Sequence, residues 1–282
     1  MELNRASETL TALGHPGRLS AFRLLARRAP EGVRPSEIAD ALQVKPNTLS
    51  VYLATLERAG LIHSERQGKS VFYTIDMSAT GALIDYLAVD CCRGRPDLCA
   101  TATAKALSQA PSRSIMPDTP YNALFICTGN SARSIFAEVL LRDMAGNKFV
   151  AYSAGTNPNS ELNPFAIDLL KRNGFDTSGL RSKTVAEFQT EDAPKLDFVF
   201  TVCDRAANEE CPPWPGQPIT AHWGLPDPVK ATGTEAEKAL AFSQVFQAMR
   251  RRLAAFTALQ FDQLDRLSLQ RQLDDIGQTE TE

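Results

Sequence analysis

The sequence predicts two domains of different fold class. A mainly helical N-terminal domain ends in a β-ribbon, and an α/β domain follows, with a four-stranded parallel sheet flanked by helices. Helical patterns alternate with turns up to residue 92, whereas short apolar runs alternate with helical stretches over residues 121–258. The chain has 282 residues, 43% hydrophobic and 22% charged, a globular composition that is long enough for two domains.

The organisation along the chain divides it into four segments. We predict an N-terminal domain over 1–99, a linker over 100–119, an α/β domain over 120–258 and a polar tail over 259–282. The linker is inferred from its prolines and serines and from its lack of an apolar face. No apolar run is long enough to cross a membrane, and the N-terminus has no secretory pattern. We therefore expect a cytoplasmic protein with reduced thiols and no membrane partner.

The N-terminal domain has the pattern of a winged helix-turn-helix. Two helices, predicted at 34–42 and 47–60, precede two strands at 61–66 and 70–75 that flank a basic tip. The second helix would enter the major groove of DNA and the tip would contact phosphate. The net charge of −3 means that DNA binding depends on local charge. The side chains that we expect on DNA are Lys45, Asn47, Thr48, Ser50, Val51, Tyr52, Arg66 and Lys69.

Three stretches of this domain resemble the ArsR/SmtB family of metal-responsive repressors. They are Leu13-Gly-His-Pro-Gly-Arg-Leu19, the run from Leu49 to Ile62, and the tip Arg66-Gln-Gly-Lys69. The resemblance implies a homodimer through the N-terminal domain that binds palindromic operator DNA and leaves it when metal binds. The alternative is a helix-turn-helix used for protein contacts, which a polar helix face together with a basic tip makes less favourable.

Three cysteines close this domain and indicate the inducer. Cys91, Cys92 and Cys99 offer three soft thiolates, which suit trivalent arsenic, whereas zinc would need a fourth ligand. The pair plus a distal cysteine also resembles a variant arsenic site of the family. We therefore expect As(III) as inducer. The alternative is three cysteines that act only as small buried apolar residues.

The C-terminal domain carries a cysteine and an arginine separated by five residues, directly after the apolar run 123–126. Backbone N–H groups of such a loop surround an oxyanion, with the Cys127 thiolate as nucleophile and Arg133 as a two-pronged donor. We expect these donors to lower the pKa of Cys127, and Asp227 to act as general acid. The predicted oxyanion-binding residues are Thr128, Gly129, Asn130, Ser131, Ala132, Arg133 and Ser134.

Residues 121–258 resemble the low-molecular-weight tyrosine phosphatase fold, and within it the arsenate reductase branch. The stretches that carry the resemblance are Thr201–Pro212, His222–Pro228 and Gly233–Glu235. It implies that Cys127, Cys203 and Cys211 act in turn to reduce arsenate to arsenite. An external thiol reductant, thioredoxin or glutaredoxin, would then restore the thiols, and no tightly bound cofactor is expected.

Three features of the chain depart from the family pattern. The spacing from Cys203 to Cys211 is slightly longer than in thioredoxin-coupled members, which leaves the reductant open. Position 132 is alanine where other members carry a further cysteine, and Lys183 takes the place of an acidic ligand for potassium, so we expect its ammonium to replace that ion. The combined prediction is an arsenate reductase fused to an arsenite-responsive repressor of arsenic resistance. The alternatives are a DNA-binding regulator fused to a low-molecular-weight protein tyrosine phosphatase, or a binding protein with an inactive remnant of the enzyme.

Overall fold

A computed structural model describes residues 1–91, 119–158, 161–190, 192–209, 214, 218–261 and 263–279. The chain divides into two compact units, whose described residues are 1–91 and 119–279 apart from these gaps. Nearly all of the predicted linker, 100–119, lies outside the described residues. The exact domain boundaries therefore stay predictions.

The N-terminal unit contains the predicted helices and β-ribbon. Its elements are α1 (Leu3–Leu13), α2 (Pro16–Arg28), α3 (Pro35–Leu42), α4 (Pro46–Arg58), β1 (Ile62–Gln67), β2 (Ser70–Ile75), α5 (Met77–Asp85) and a π-helical turn (Tyr86–Cys91). Proline at the first position starts α2, α3 and α4, where its missing N–H costs no hydrogen bond. Strands β1 and β2 pair antiparallel, and Gly68, with a φ of 62°, allows the tight turn between them.

The core of this unit lies between α2, α3 and α4. Leu49, Leu53 and Leu56, which recur at helical spacing, are buried on one face of α4. They pack in one cluster with Leu24 and Leu25 of α2. The opposite face of α4 is thereby left toward solvent.

The C-terminal unit is a three-layer α/β fold. Its elements are β3 (Tyr121–Cys127), α6 (Arg133–Ala145), β4 (Phe149–Gly155), α7 (Pro164–Arg172), a 3₁₀ turn (Val185–Phe188), β5 (Phe198–Thr201), α8 (Asp204–Asn208), β6 (Ile219–His222), a 3₁₀ turn (Pro228–Lys230), α9 (Glu235–Thr257) and α10 (Arg266–Gln278). The strand order is β4-β3-β5-β6 with every pair parallel, which confirms the predicted four-stranded parallel sheet. Among the described residues, no helix has both the length and the apolar character needed to span a membrane.

The central strand β3 and the helix that follows it form the middle of the core. Ala123, Leu124 and Phe125 of β3 are fully buried, as expected for a strand covered on both faces. Helix α6 is buried around most of its circumference, including Phe136 and Leu141. The loop between β3 and α6 therefore has both of its ends fixed in the core.

The C-terminal segment differs from the polar tail expected over 259–282. Its described residues include α10, a helix with three buried residues, Leu269, Leu273 and Ile276, at the spacing of one helix face. This apolar face was not predicted because the four apolar residues of α10 stand among glutamines and aspartates, and one of them, Leu267, is exposed. It packs on the core of the C-terminal unit.

Candidate active site and nucleic-acid interface

The candidate catalytic loop runs from the end of β3 to the start of α6. Cys127 is the last residue of β3 and is only 3% exposed. Asn130 adopts a φ of 44°, which turns the loop back over the thiol. Behind the loop, a Cβ on Gly155 would lie 2.6 Å from the carbonyl oxygen of Thr128, so only glycine fits there. The carboxyl end of a central parallel strand is where such folds bind their ligands.

Three hydrogen bonds organise the thiol. The backbone N–H of Asn130 donates to Cys127 Sγ at 3.1 Å, and Ser134 Oγ lies 3.0 Å from the same sulfur. The side-chain amide of Asn130 donates to Ser134 Oγ at 2.9 Å. Because the serine oxygen accepts this bond, its own hydrogen is available to the sulfur, which stabilises a thiolate.

The pKa of Cys127 is raised from its ordinary value, so the expectation of a lowered pKa is wrong for this structure. Burial is the largest cause, since it penalises the charged thiolate, and Cys203 adds to the rise. The hydrogen bond from Ser134, the charge of Arg133 and the N–H of Asn130 all lower the pKa but do not offset burial. The sequence shows which residues donate hydrogen bonds to the thiol, but it does not show how deeply the thiol is buried.

Arg133 and Asp227 meet at the rim of the loop. Arg133 Nη2 lies 3.2 Å from Asp227 Oδ1, and Arg133 Nη1 donates to the carbonyl of Leu225 at 2.9 Å. The side chain of Arg133 is 11% exposed and that of Asp227 is 28% exposed. The two residues that the sequence assigns to oxyanion binding and proton transfer are thus adjacent, although 94 positions separate them in the chain. Leu225 was not anticipated, because a backbone carbonyl has no sequence signature.

A buried polar network extends from the loop through β4 to α6. The side-chain amide of Asn130 donates to Ser153, whose hydroxyl in turn donates to Glu138. Lys183 Nζ lies 3.0 Å from Glu138 Oε2, and both side chains are about one-tenth exposed. The ammonium of Lys183 thereby neutralises the Glu138 carboxylate, and its replacement of a potassium ion stays a prediction.

Cys203 lies next to the catalytic loop. It follows β5 as the first residue of the turn into α8, and its Sγ lies 3.5 Å from the hydroxyl of Thr128, the residue after Cys127. The backbone N–H of Ala206 also reaches this sulfur, at 3.4 Å. Cys203 is buried and free, as is Cys127. Cys211 lies outside the described residues, so its role stays a prediction.

The candidate DNA-contacting face of the N-terminal unit is mostly solvent-exposed. The exposed residues among those expected on DNA are Lys45, Asn47, Thr48, Ser50, Val51, Arg66 and Lys69. Tyr52 differs, because its ring is half-buried and lies 5.0 Å from the ring of His15. A Cβ on Gly17 would approach the Tyr52 ring to 2.5 Å, so this tyrosine packs on the start of α2.

The predicted metal-binding cysteines lie at the end of the described part of the N-terminal unit. Cys91 is exposed and free at the last position of the π-helical turn. It borders an apolar groove that Leu3, Ala6 and Leu10 of α1 share with Tyr86. Cys92 and Cys99 lie outside the described residues. The three-thiolate site therefore stays a prediction.

Comparison with known proteins places both units in families. The family model for low molecular weight phosphotyrosine protein phosphatase matches residues 122–268, just over half of the chain, and a helix-turn-helix domain model matches residues 13–65. The arsenate reductases of Halalkalibacterium halodurans and Bacillus subtilis are each 38% identical over 132 residues, which is 47% of this chain and 91% of each relative.

Comparison with solved structures gives matches that each cover part of this chain. An arsenate reductase from Archaeoglobus fulgidus has 25% identity and a TM-score of 0.37, over 47% of this chain and 98% of that one. Reduced HlyU from Vibrio cholerae has 24% identity and a TM-score of 0.26, over 31% of this chain and 90% of that one. From the family models and the curated relatives, the chain belongs to the low-molecular-weight phosphotyrosine protein phosphatase family, with an arsenate reductase domain of that family preceded by an ArsR-type helix-turn-helix domain.

Proposed function

We propose that the C-terminal unit reduces arsenate to arsenite through a relay of Cys127, Cys203 and Cys211, and that the arsenite releases the N-terminal unit from operator DNA. The observation that carries the reductase proposal is the second buried free thiol, Cys203, beside the catalytic loop. A phosphatase needs one nucleophilic thiol. A reductase needs two electrons, which a second thiol supplies.

The first step forms a bond between sulfur and arsenic. The Cys127 thiolate attacks arsenate held by the loop N–H groups and Arg133, and one arsenate oxygen leaves as water or hydroxide. Asp227, 3.2 Å from the arginine, donates the proton to this leaving oxygen. The N–H of Asn130 already points at Cys127 Sγ in the free enzyme, and a donor fixed in advance needs no reorganisation when charge develops.

The second and third steps release arsenite and transfer the disulfide to Cys203 and Cys211. The Cys203 thiolate attacks Cys127 Sγ, a disulfide forms, and the sulfur–arsenic bond breaks with its electron pair on arsenic, which leaves as arsenite. Cys211 then attacks Cys203, releases Cys127 as a thiolate, and leaves a Cys203–Cys211 disulfide. An external dithiol protein of the thioredoxin or glutaredoxin class reduces this disulfide.

The reductase proposal is tested by arsenate-dependent oxidation of NADPH with thioredoxin and thioredoxin reductase, and with glutaredoxin and glutathione in a second assay. We expect turnover by the wild type and by Cys91→Ser, the same substitution at an exposed cysteine outside this unit, and none by Cys203→Ser. In a single turnover, Cys203→Ser should retain arsenic on Cys127 and release no arsenite. Undiminished turnover by Cys203→Ser would reject the relay.

The phosphatase alternative makes an opposite prediction for the same variants. Hydrolysis of an aryl phosphate requires Cys127 but has no use for Cys203. If the wild type hydrolyses para-nitrophenyl phosphate rapidly, keeps this activity in Cys203→Ser, and does not turn over arsenate with either reductant, the phosphatase function replaces the reductase.

Support for a dimeric repressor comes from the N-terminal unit. Leu3 and Leu10 of α1 are 71% and 43% exposed, and Ile84 near the end of α5 is 53% exposed. Apolar side chains of this size in one unit are suited to burial against a second copy. A dimer would present two α4 helices to the two halves of a palindromic operator.

The coupling of the two activities is tested on DNA from the region upstream of the coding sequence. Arsenite should release both the wild type and Cys127→Ser, whereas arsenate with the reducing system should release only the wild type. The double variant Cys91→Ser/Cys92→Ser should stay bound in both cases while its reductase activity is unchanged. Release of this double variant by arsenite would exclude the triad as sensor.

A further inference from the structure

The segment from His222 to Asp227 connects the edge strand β6 to the catalytic rim. At its far end, the carbonyl of Leu225 and the carboxylate of Asp227 both bind the guanidinium of Arg133. On one side, the backbone N–H groups of Trp223 and Leu225 donate to Thr201 and Val202 at the end of β5. The position of Asp227 therefore depends on how this short segment is held.

Helix α10 holds the same segment from the other side. Gln270 Nε2 donates to the carbonyl of Thr220 in β6 at 2.9 Å, and Trp223 Nε1 donates to the carbonyl of Leu273 at 2.9 Å. Gly277 approaches so closely that a Cβ there would lie 2.5 Å from the carbonyl oxygen of His222. The helix thus contacts the end of β6 and the first residues of the segment directly.

Arg252 of α9 completes the attachment. Its side chain is buried, with Nη1 donating to the carbonyl of Gly224 at 3.0 Å and Nη2 to the carbonyl of Thr279, just past α10, at 3.3 Å. One guanidinium therefore joins the residue before Leu225 to the C-terminal end of α10. A planar fork with several donors suits this bridging role, which a lysine ammonium fills less well.

We propose that α10 and Arg252 form a positioning device that sets the placement of Leu225 and Asp227 on Arg133 and thereby tunes oxyanion binding and proton transfer. The inference rests on the proposed function for the roles of Arg133 and Asp227. The family match ends at residue 268, so most of α10 lies beyond it. Misplacement of a catalytic group by about 1 Å can lower a rate by about 100-fold, so contacts remote from the thiol can matter.

The decisive variant is Gly277→Ala. Alanine is a better helix former than glycine, so a loss of affinity or activity is expected from the methyl group meeting the His222 carbonyl and not from a weaker helix. Arg252→Lys is the second variant, because it keeps the charge but loses the fork between Gly224 and Thr279. The matched control is Asp275→Ala, at an exposed position of α10.

The measurements are the dissociation constant for inorganic phosphate by calorimetry, and KM and kcat for arsenate, all well below the unfolding temperature. We expect Gly277→Ala and Arg252→Lys to weaken phosphate binding and lower kcat/KM by about 10-fold, with KM raised, and Asp275→Ala to match the wild type. A merely structural role would lower kcat through a smaller folded fraction and leave KM and phosphate affinity unchanged.

Two results would overturn the positioning role: wild-type phosphate affinity in both folded variants, or a loss in kcat alone. Phosphate binding needs no reduction, so its result stands even if the chain fails to reduce arsenate. Conversely, full phosphate binding without arsenate turnover in the wild type would reject the proposed function and leave the positioning test intact.

Discussion

At the scale of single residues, Cys127 shows two opposing effects on one group. Burial disfavours the thiolate, whereas Ser134, Arg133 and the N–H of Asn130 favour it, and the net pKa is raised. Only the thiolate is nucleophilic, so the reactive fraction increases as pH rises through this pKa. Loss of any one donor should therefore lower activity most at acidic pH, where the thiolate fraction is smallest.

The pH dependence of Ser134→Ala tests this balance. Removing a donor that lowers the pKa of Cys127 raises that pKa further, so the acid limb of kcat/KM should move to higher pH. A hydrogen bond to a charged group contributes about 1.5–3 kcal/mol, so the rate at acidic pH should fall about tenfold or more. Ser178→Ala, on an exposed turn, is the control. An unmoved acid limb would mean that Ser134 does not stabilise the thiolate.

The ion pair between Lys183 and Glu138 is a second residue-scale test. Replacing Lys183 with methionine leaves the buried Glu138 carboxylate without its cation, which typically costs about 3–5 kcal/mol. The double variant Lys183→Met/Glu138→Gln removes both charges and should recover much of this loss. Urea unfolding of the C-terminal unit measures both. Equal stability of the single and double variants would contradict a buried charge pair.

At the scale of elements, the β1–β2 ribbon and α4 are expected to contact different parts of DNA. Arg66 and Lys69 lie at the exposed turn of the ribbon, where contact with phosphate adds affinity without sequence preference. Asn47 and Thr48 lie exposed at the start of α4, the end that contacts base edges in helix-turn-helix proteins. Substitutions in the ribbon should therefore change the salt dependence of DNA binding, whereas substitutions in α4 should change its sequence preference.

Lys69→Ala tests the ribbon without knowledge of the operator. Loss of one phosphate contact should reduce the slope of log K against log salt by about 1 on any duplex DNA. Fluorescence anisotropy over a range of salt concentrations measures this slope. Lys171→Ala, exposed on α7 of the other unit, is the control. If both variants keep the wild-type slope, the ribbon does not contact phosphate.

At the scale of the whole molecule, two separate cores predict two separable unfolding reactions. One core is built from residues of the N-terminal unit and the other from residues of the C-terminal unit. A chain of this kind departs from two-state unfolding, because each unit can lose its core while the other keeps it. The reductase and the DNA-binding unit should therefore respond independently to core mutations.

Scanning calorimetry of two core variants checks this independence. Leu24→Ala and Leu141→Ala, both at fully buried positions, should each cost about 2–5 kcal/mol in their own unit. Each variant should lower one transition and leave the other in place. A single transition that both variants shift together would show instead that the units unfold as one.

The sequence by itself determined most of the elements and which residues form the catalytic loop. Local patterns predicted the helix-turn-helix, the ribbon and the four-stranded parallel sheet, because alternation and helical spacing are local properties of the chain. The Cys127 loop was predictable for the same reason: nucleophile, turn residues and arginine lie within seven positions. Both family resemblances rest on such local runs.

Tertiary structure alone decided the contacts that join distant parts of the chain. Thr128 meets Cys203, Arg133 meets Leu225, and Trp223 meets Leu273 across 75, 92 and 50 positions. It also decided that burial outweighs the donors at Cys127, and that α10 packs on the core. Burial and approach depend on how all elements pack together, and no local pattern of residues specifies that packing.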